Sequence, residues 1–174
     1  QRLKELGSNC HFAVTATTRT PRDSETNGLD YVFLNKDNYL AKVQDGQFLE
    51  FAEVYGNWYG VPRDQVSEAL GKGQDVIVKV DVRGAATIKE TVPEAIFVFL
   101  MPPSPEELER RLRERKTETT TDLNVRIQTA REELYQLPNF DYVVVNHQLE
   151  AAVHQIESIM TAEKCRITSR SIRL

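Results

Sequence analysis

Cysteine is scarce in this sequence of 174 residues, which has only Cys10 and Cys165, near opposite ends. This spacing fits no metal-binding motif. No charged-then-apolar leader suggests secretion, so we expect both cysteines to be reduced thiols in the cytosol.

No apolar run is long enough to cross a membrane, since the longest covers only 95–101. Positive charge is not in excess: 22 Lys and Arg against 26 Asp and Glu give a net charge of -4. This balance disfavours non-specific nucleic-acid binding.

Apolar runs alternate with helix-like stretches, which is typical of an α/β fold with a parallel sheet. The segment 17–72 differs because it has short strands, loops and aromatic residues, and we expect it to be an insertion between two core strands. Ser104 followed by Pro105 predicts a capped helix start, with a glutamate at the third helical position. The predicted buried parallel strands are 11–15, 76–80, 95–100 and 141–145.

Two arginines, Arg19 and Arg22, stand just after the first predicted strand. Ligands of α/β sheets bind at the carboxyl ends of strands, and a guanidinium pairs with two phosphate oxygens at once, so these arginines are a candidate phosphate site. Two solvated loop arginines are an equally good interpretation. Tyr31 and Tyr59 could each donate to a phosphate oxygen without adding charge, but either could instead fill a small aromatic core.

Glu50 is the candidate for reading a base, because it lies among apolar residues on a predicted strand, 48–54. A buried carboxylate needs hydrogen-bond donors. The edge of guanine offers two adjacent donors that adenine lacks, so one glutamate can discriminate between these bases. A glutamate facing water on an edge strand is the alternative. Asp81 ends the most apolar strand, where α/β sheets bind ligands, and Gly84 allows the next helix to begin close by.

Arginines are concentrated between 110 and 131, where Arg115 and Arg126 stand on either side of a threonine-rich break. A mobile segment with arginines can close on phosphoryl groups and neutralise their charge. The alternative is a solvated helix with ion pairs between its arginines and the intervening glutamates. The histidines have no metal-ligand spacing, so the sequence predicts no metal site within the chain.

Together, these motifs resemble those of guanylate kinases, enzymes that transfer a phosphoryl group from ATP to GMP. The resemblance extends from residue 1 to about 161, and its motifs occur in the family's order and spacing. They are the segments 15–22, 28–31, 48–50, 56–60, 81–84 and 144–146.

The resemblance implies a role for each matched position. The residues that would bind the GMP phosphate are Arg19, Arg22, Tyr31 and Tyr59. Those that would read the guanine are Thr15, Glu50 and Asp81. Those that would bind ATP are Arg115, Arg126 and Asn146, the last near the adenine. The residues implied to be catalytic are Arg19, Arg115 and Arg126.

The architecture implied by the family is a parallel-sheet P-loop kinase-like core with an inserted GMP-binding subdomain and a short helical lid. We therefore expect one domain over 1–174. Its parts would be a core of 1–16, 73–110 and 135–174, an insertion of 17–72 and a lid of 111–134. The resemblance also implies ATP as co-substrate, Mg²⁺ as cofactor and a cytoplasmic monomer or homodimer. It implies no nucleic-acid or membrane partner.

Four positions depart from the family pattern. Val61 stands where a Ser or Thr usually bonds the guanine carbonyl, which puts one base contact in doubt. Lys79 replaces an acid two residues before Asp81, which would weaken magnesium handling or place a cation near the phosphates. Lys116 replaces the usual glycine of the lid, and 147–148 is His-Gln instead of an acidic pair.

The largest departure is the lack of a G-x-x-x-x-G-K-[ST] loop, which cradles ATP phosphates. Residues 2–7 resemble only the end of the helix that follows this loop, so we expect roughly 20–30 further residues upstream, enough for a strand, loop and helix. Without them a buried sheet edge would be unpaired. The missing loop and Val61 also favour an alternative, which is an inactive guanylate-kinase-like module that binds phosphopeptides.

Overall fold

The computed structural model describes residues 2–5, 10–54, 56–114 and 120–166, except for the side chains of residues 4, 5, 120–124 and 126. The chain divides into two compact units, of which the first consists mainly of Leu3–Ala95 and the second of Ile96–Leu174. Within the described residues, no helix has the length and apolar character needed to cross a membrane.

The first unit contains six strands and three longer helices, after a short helix α1 (Arg2–Glu5). The strands are β1 (Cys10–Phe12), β2 (Ala16–Thr17), β3 (Val32–Phe33), β4 (Phe48–Val54), β5 (Asn57–Pro62) and β6 (Asp75–Ile77). The helices are α2 (Lys36–Gln44), α3 (Arg63–Gly71) and α4 (Val82–Thr91).

Two sheets form in this unit. Strands β1 and β6 pair in parallel, with Cys10 opposite Asp75. The other sheet has four strands in the order β3-β2-β5-β4 and lies almost entirely within the predicted insertion, 17–72. In it β2 and β3 are parallel, whereas β5 is antiparallel to both β2 and β4.

One face of the four-stranded sheet packs against α2, and we call it the packing face. The ring of Tyr39, which is fully buried, stacks on Phe48 at a centroid distance of 4.7 Å and also contacts Trp58. Gly60 lies beneath the Tyr39 hydroxyl, and a Cβ at this position would come within 2.5 Å of that oxygen. A side chain at position 60 would therefore force the α2 ring off the sheet.

The opposite face, called the site face, consists of Thr17, Glu50, Tyr59 and Val61. Directly opposed residues of antiparallel strands share a face, and the register pairs Thr17 with Tyr59 and Glu50 with Val61. A bulge between Phe48 and Glu50 shifts this register. It explains why Phe48 lies on the packing face, although simple alternation would place it on the face of Glu50.

The second unit is built on the parallel pair β7 (Val98–Met101) and β8 (Tyr142–Val145). Its helices are α5 (Pro105–Glu114), α6 (Thr120–Leu134) and α7 (Leu149–Cys165). The predicted cap of α5 is confirmed, because the Glu107 N–H donates to the Ser104 hydroxyl at 3.2 Å. Just before these two strands, the Asp141 carboxylate accepts a hydrogen bond from the Phe97 N–H at 2.8 Å.

The four predicted parallel strands all occur, but shorter and as two separate pairs. The first ends at Phe12 and not at residue 15, because the backbone of Val14 bonds to the side chain of Gln65 and not to a neighbouring strand. The last bond between β1 and β6 runs from the Ala13 N–H to the Ile77 carbonyl, and residues 78–80 are not part of a strand.

Candidate functional site

Three predicted phosphate-binding side chains meet at the end of β2. The Arg19 guanidinium carbon lies 5.3 Å from the centre of the Tyr31 ring, and the rings of Tyr31 and Tyr59 meet edge to face at 6.3 Å. The backbone that carries Arg19 is held by the buried Thr17, whose hydroxyl accepts from the Arg19 N–H at 3.1 Å. A cation thus lies beside two phenols on the site face, which is a suitable set of donors for a phosphate.

Glu25 belongs to this cluster, although the sequence analysis missed it. The Arg19 guanidinium donates to both carboxylate oxygens of Glu25, at 2.8 and 3.0 Å, and both side chains are largely shielded from solvent. The Glu25 carboxylate raises the pKa of Arg19, and the Arg19 guanidinium lowers the pKa of Glu25. The signal available in the sequence was an acid three residues after Arg22 in the same loop.

Arg22 differs from Arg19 because its side chain is exposed. Its backbone N–H donates to Glu25 at 2.8 Å, so Glu25 connects the loop positions of the two arginines. The structure therefore gathers Arg19, Tyr31 and Tyr59 and leaves the Arg22 side chain at the rim, in solvent.

The other end of the site face contains Glu50, which is only 7% exposed. It lies at the bulge, opposite the buried Val61. Its carboxylate also approaches the start of α4, where a Cβ on Gly84 would come within 3.1 Å of Oε2. The Gly84 N–H donates to Asp81 at 2.8 Å, so Asp81 caps the helix that closes over Glu50.

Burial raises the pKa of Glu50 to about 7, and the negative charge of Asp81 adds to the effect. Val61, which lies directly opposite Glu50 on β5, is itself buried. The side chain of Val61 offers no hydrogen-bond donor. Burial therefore favours the protonated form of the Glu50 carboxyl in the free protein.

The two ends of the site are close together along the sheet. Ala52 lies opposite Tyr59 and Glu50 lies opposite Val61, so the two positions on β4 are two residues apart on one face. Two residues of a strand span about 7 Å. Thr15 leads into β2, where its carbonyl accepts from the Val32 N–H at 3.0 Å, and the site-face contacts described above do not involve its side chain.

The predicted ATP-binding residues fall in the second unit or outside the described residues. Asn146 follows β8, and its carbonyl accepts from the Arg111 guanidinium at 2.9 Å. Arg115, Lys116 and the side chain of Arg126 lie outside the described residues. The role of Asn146, the two lid arginines and the domain boundaries stay predictions.

The resemblance described above implies Mg²⁺ as cofactor. Among the described residues, no group of three or more His, Cys, Asp or Glu side chains could hold a metal ion. The site residues above do not fit a resident cation, and we assign no step to one.

Comparison with known proteins gives one consistent answer. Residues 1–163 match the family described as guanylate kinase. A "Guanylate kinase" of Clostridium tetani is 45% identical over 94% of this chain and 80% of its own length. The solved guanylate kinase of Anaplasma phagocytophilum covers 97% of this chain and 83% of its own, with 32% identity and a TM-score of 0.82. The chain belongs to the guanylate kinase family.

A plant relative extends the comparison. "Guanylate kinase 2, chloroplastic/mitochondrial" of Oryza sativa subsp. japonica is 46% identical over the whole of this chain, which spans 62% of that relative's length. The predicted fold class and the predicted kinase class are confirmed by these matches. Nothing in them supports the alternative of an inactive phosphopeptide-binding module.

Proposed function

We propose that the site face binds GMP and that the whole protein transfers the γ-phosphoryl group of ATP to it. The observation that carries this proposal is the presence of a buried carboxylate and an arginine–tyrosine cluster on one face of one small sheet. A nucleoside monophosphate has a base at one end and a dianionic phosphate at the other. The site face offers a matching set of groups.

Glu50 would read the base. As a carboxylate, it would accept hydrogen bonds from the ring N–H and the exocyclic amino group of guanine. These two bonds would satisfy a charge that is costly to bury. Adenine offers no such pair, so it would leave Glu50 buried without those donors. Thr15 and Asp81 are proposed to complete the base site through the family match alone.

Arg19, Arg22, Tyr31 and Tyr59 would hold the GMP phosphate. Arg19 is already oriented by Glu25, and the exposed Arg22 is free to turn inward onto the phosphate. In the reaction, a phosphate oxygen of GMP attacks the γ-phosphorus of ATP, and the bond from that phosphorus to the β-phosphate bridging oxygen breaks, giving GDP and ADP. Arg19 would neutralise charge that spreads over the transferred group.

The remaining assignments rest on the family match. Arg115, Arg126 and Asn146 are proposed to bind ATP, the first two as catalytic residues. Mg²⁺ bound with ATP, a monomeric or homodimeric state and a cytoplasmic location are proposed on the same basis.

Calorimetric titration with GMP and AMP, without ATP, tests the proposal. We expect the chain to bind GMP and not AMP. Glu50→Gln should lose this preference, because an amide replaces one acceptor with a donor. Glu53→Gln is the matched control, since Glu53 is an exposed residue of β4 that lies opposite Trp58, on the other face. Equal GMP binding by the Glu50→Gln variant and the unaltered chain would refute the assignment of the base site.

A further inference from the structure

We propose that Gln65 is a positioning residue for GMP. Its side chain would hold the strand that leads to Arg19 in place against the strand that carries Tyr59. This inference rests on the proposed function, because it concerns the geometry of the same site.

The contacts of Gln65 are reciprocal and close. Its amide nitrogen donates to the Val14 carbonyl at 2.7 Å, and its amide oxygen accepts from the Val14 N–H at 2.8 Å. A side-chain amide places an N–H donor and a carbonyl acceptor in one plane, as a peptide group does, so it can replace a neighbouring strand at one residue. The His11 ring nitrogen lies farther from the same oxygen, at 3.4 Å.

Val14 stands where the chain passes from one sheet to the other. The preceding residue, Ala13, makes the last bond to β6, and the following residue, Thr15, makes the first bond to β3. Neither ladder includes Val14, and a half-buried backbone group without partners is costly. Gln65 supplies both partners and thereby fixes the direction in which β2 begins.

The helix that carries Gln65 is itself joined to the strands of the site. Helix α3 follows β5 directly, and the first N–H of α3, that of Arg63, donates to the Gln47 carbonyl just before β4 at 2.8 Å. Gln65 is therefore held in register with the strands of Glu50 and Tyr59. Through Val14 it fixes how far Arg19 lies from them.

Gln65→Met tests this positioning role, because methionine has a similar length but neither the amide N–H nor the amide oxygen. We expect GMP affinity to fall about tenfold, since two net hydrogen bonds no longer hold the geometry. Backbone amides of residues 13–17 should exchange with deuterium faster. Gln65→Glu keeps an acceptor for the Val14 N–H but sets a carboxylate oxygen against the Val14 carbonyl, so it should weaken GMP binding as well.

Two controls separate positioning from general stability. Val153→Ala, in the buried face of α7, should destabilise the second unit and changes no residue of the proposed site. It should keep the GMP affinity of the unaltered chain, even where its melting temperature falls as far as that of Gln65→Met. Gln155→Glu, exposed on α7, controls for the added charge of Gln65→Glu.

GMP binding by Gln65→Met within twofold of the unaltered chain would overturn the inference, and so would an equal loss in Val153→Ala. If Gln65→Met does not fold, unchanged affinity in Gln65→Glu overturns it as well. An unaltered chain that does not bind GMP refutes the proposed function and this inference together. If the chain binds GMP and only Glu50→Gln weakens binding, the proposed function stands and the role of Gln65 falls.

Discussion

The two faces of the four-stranded sheet each bury a polar group, and the two groups differ in their proposed contribution to ligand binding. On the packing face, the Tyr39 hydroxyl is fully buried and has no hydrogen-bond partner among the described residues. On the site face, burial raises the pKa of Glu50 to about 7, and the nearby charge of Asp81 adds to the effect. Both groups cost stability in the free protein, but only Glu50 faces the position proposed for the ligand.

This difference indicates where the sheet sacrifices stability for binding. Replacing either group with a neutral, similar one should stabilise the free chain. Only replacement on the site face should weaken nucleotide binding. Arg19, also on the site face, differs from Glu50 because its charge is already balanced by Glu25 before the ligand arrives.

The largest effect is expected from Arg19→Met. Losing a charged donor to phosphate should reduce GMP affinity about 100-fold, because hydrogen bonds to charged groups are worth about twice the neutral ones. Calorimetry would measure it. The preference for GMP over AMP should persist, since the base end is untouched. A loss of that preference together with affinity would contradict the separation of the two ends.

The pH dependence of GMP binding should be the next largest effect. The carboxylate form of Glu50 is the one proposed to bind guanine, and burial raises the pKa of this carboxyl to about 7. Affinity should therefore be full above pH 7 and fall as pH decreases, approaching tenfold per unit well below the pKa. Titrations at pH 6, 7 and 8 would measure it.

The GMP phosphate itself titrates near pH 6, so a control is needed. Glu50→Gln has no carboxylate at this position and should retain only the phosphate contribution. An identical pH profile for the Glu50→Gln variant and the unaltered chain would show that Glu50 does not titrate on binding.

Much of the site face could be predicted because its signals are local. Arg19 follows an apolar run, and Glu50 lies within another, so strand ends and burial already indicate a phosphate site and a base site. The family resemblance then connected these residues with Tyr31 and Tyr59, which the structure places together.

The missed features depend on pairings between distant residues. The Gln65 side chain bonds to a backbone 51 positions away, and no periodicity encodes such a contact. The bulge at Glu50 shifts the alternation by one residue, so Phe48 changes face. Alternation along a single strand predicts the face of each side chain only where the strand is regular. A bulge is defined by the pairing with the neighbouring strand, so alternation alone does not reveal it.

A smaller effect is expected on stability from Glu50→Gln. The folded-state pKa of Glu50 is raised from 4.5 to about 7, so ionisation destabilises the fold as pH rises through this interval. The substitution should thus stabilise the free chain at pH 8 and change little at pH 4. We expect a rise in melting temperature of about 2–4 °C at pH 8, equivalent to about 1 kcal/mol. Scanning calorimetry at both pH values would measure it, and equal shifts would exclude the ionisation of Glu50 as the cause.

The smallest effect is expected from Tyr39→Phe, on the packing face. The substitution removes a buried hydroxyl without a partner in the described residues and keeps the ring that stacks on Phe48. Desolvating such a group costs on the order of 1 kcal/mol, but removing the oxygen also loses its packing contacts, so the variant should melt only slightly higher at every pH. Its GMP affinity should equal that of the unaltered chain. If affinity falls while the melting temperature rises, the hydroxyl has a partner in the bound state, and the packing face also contributes to binding.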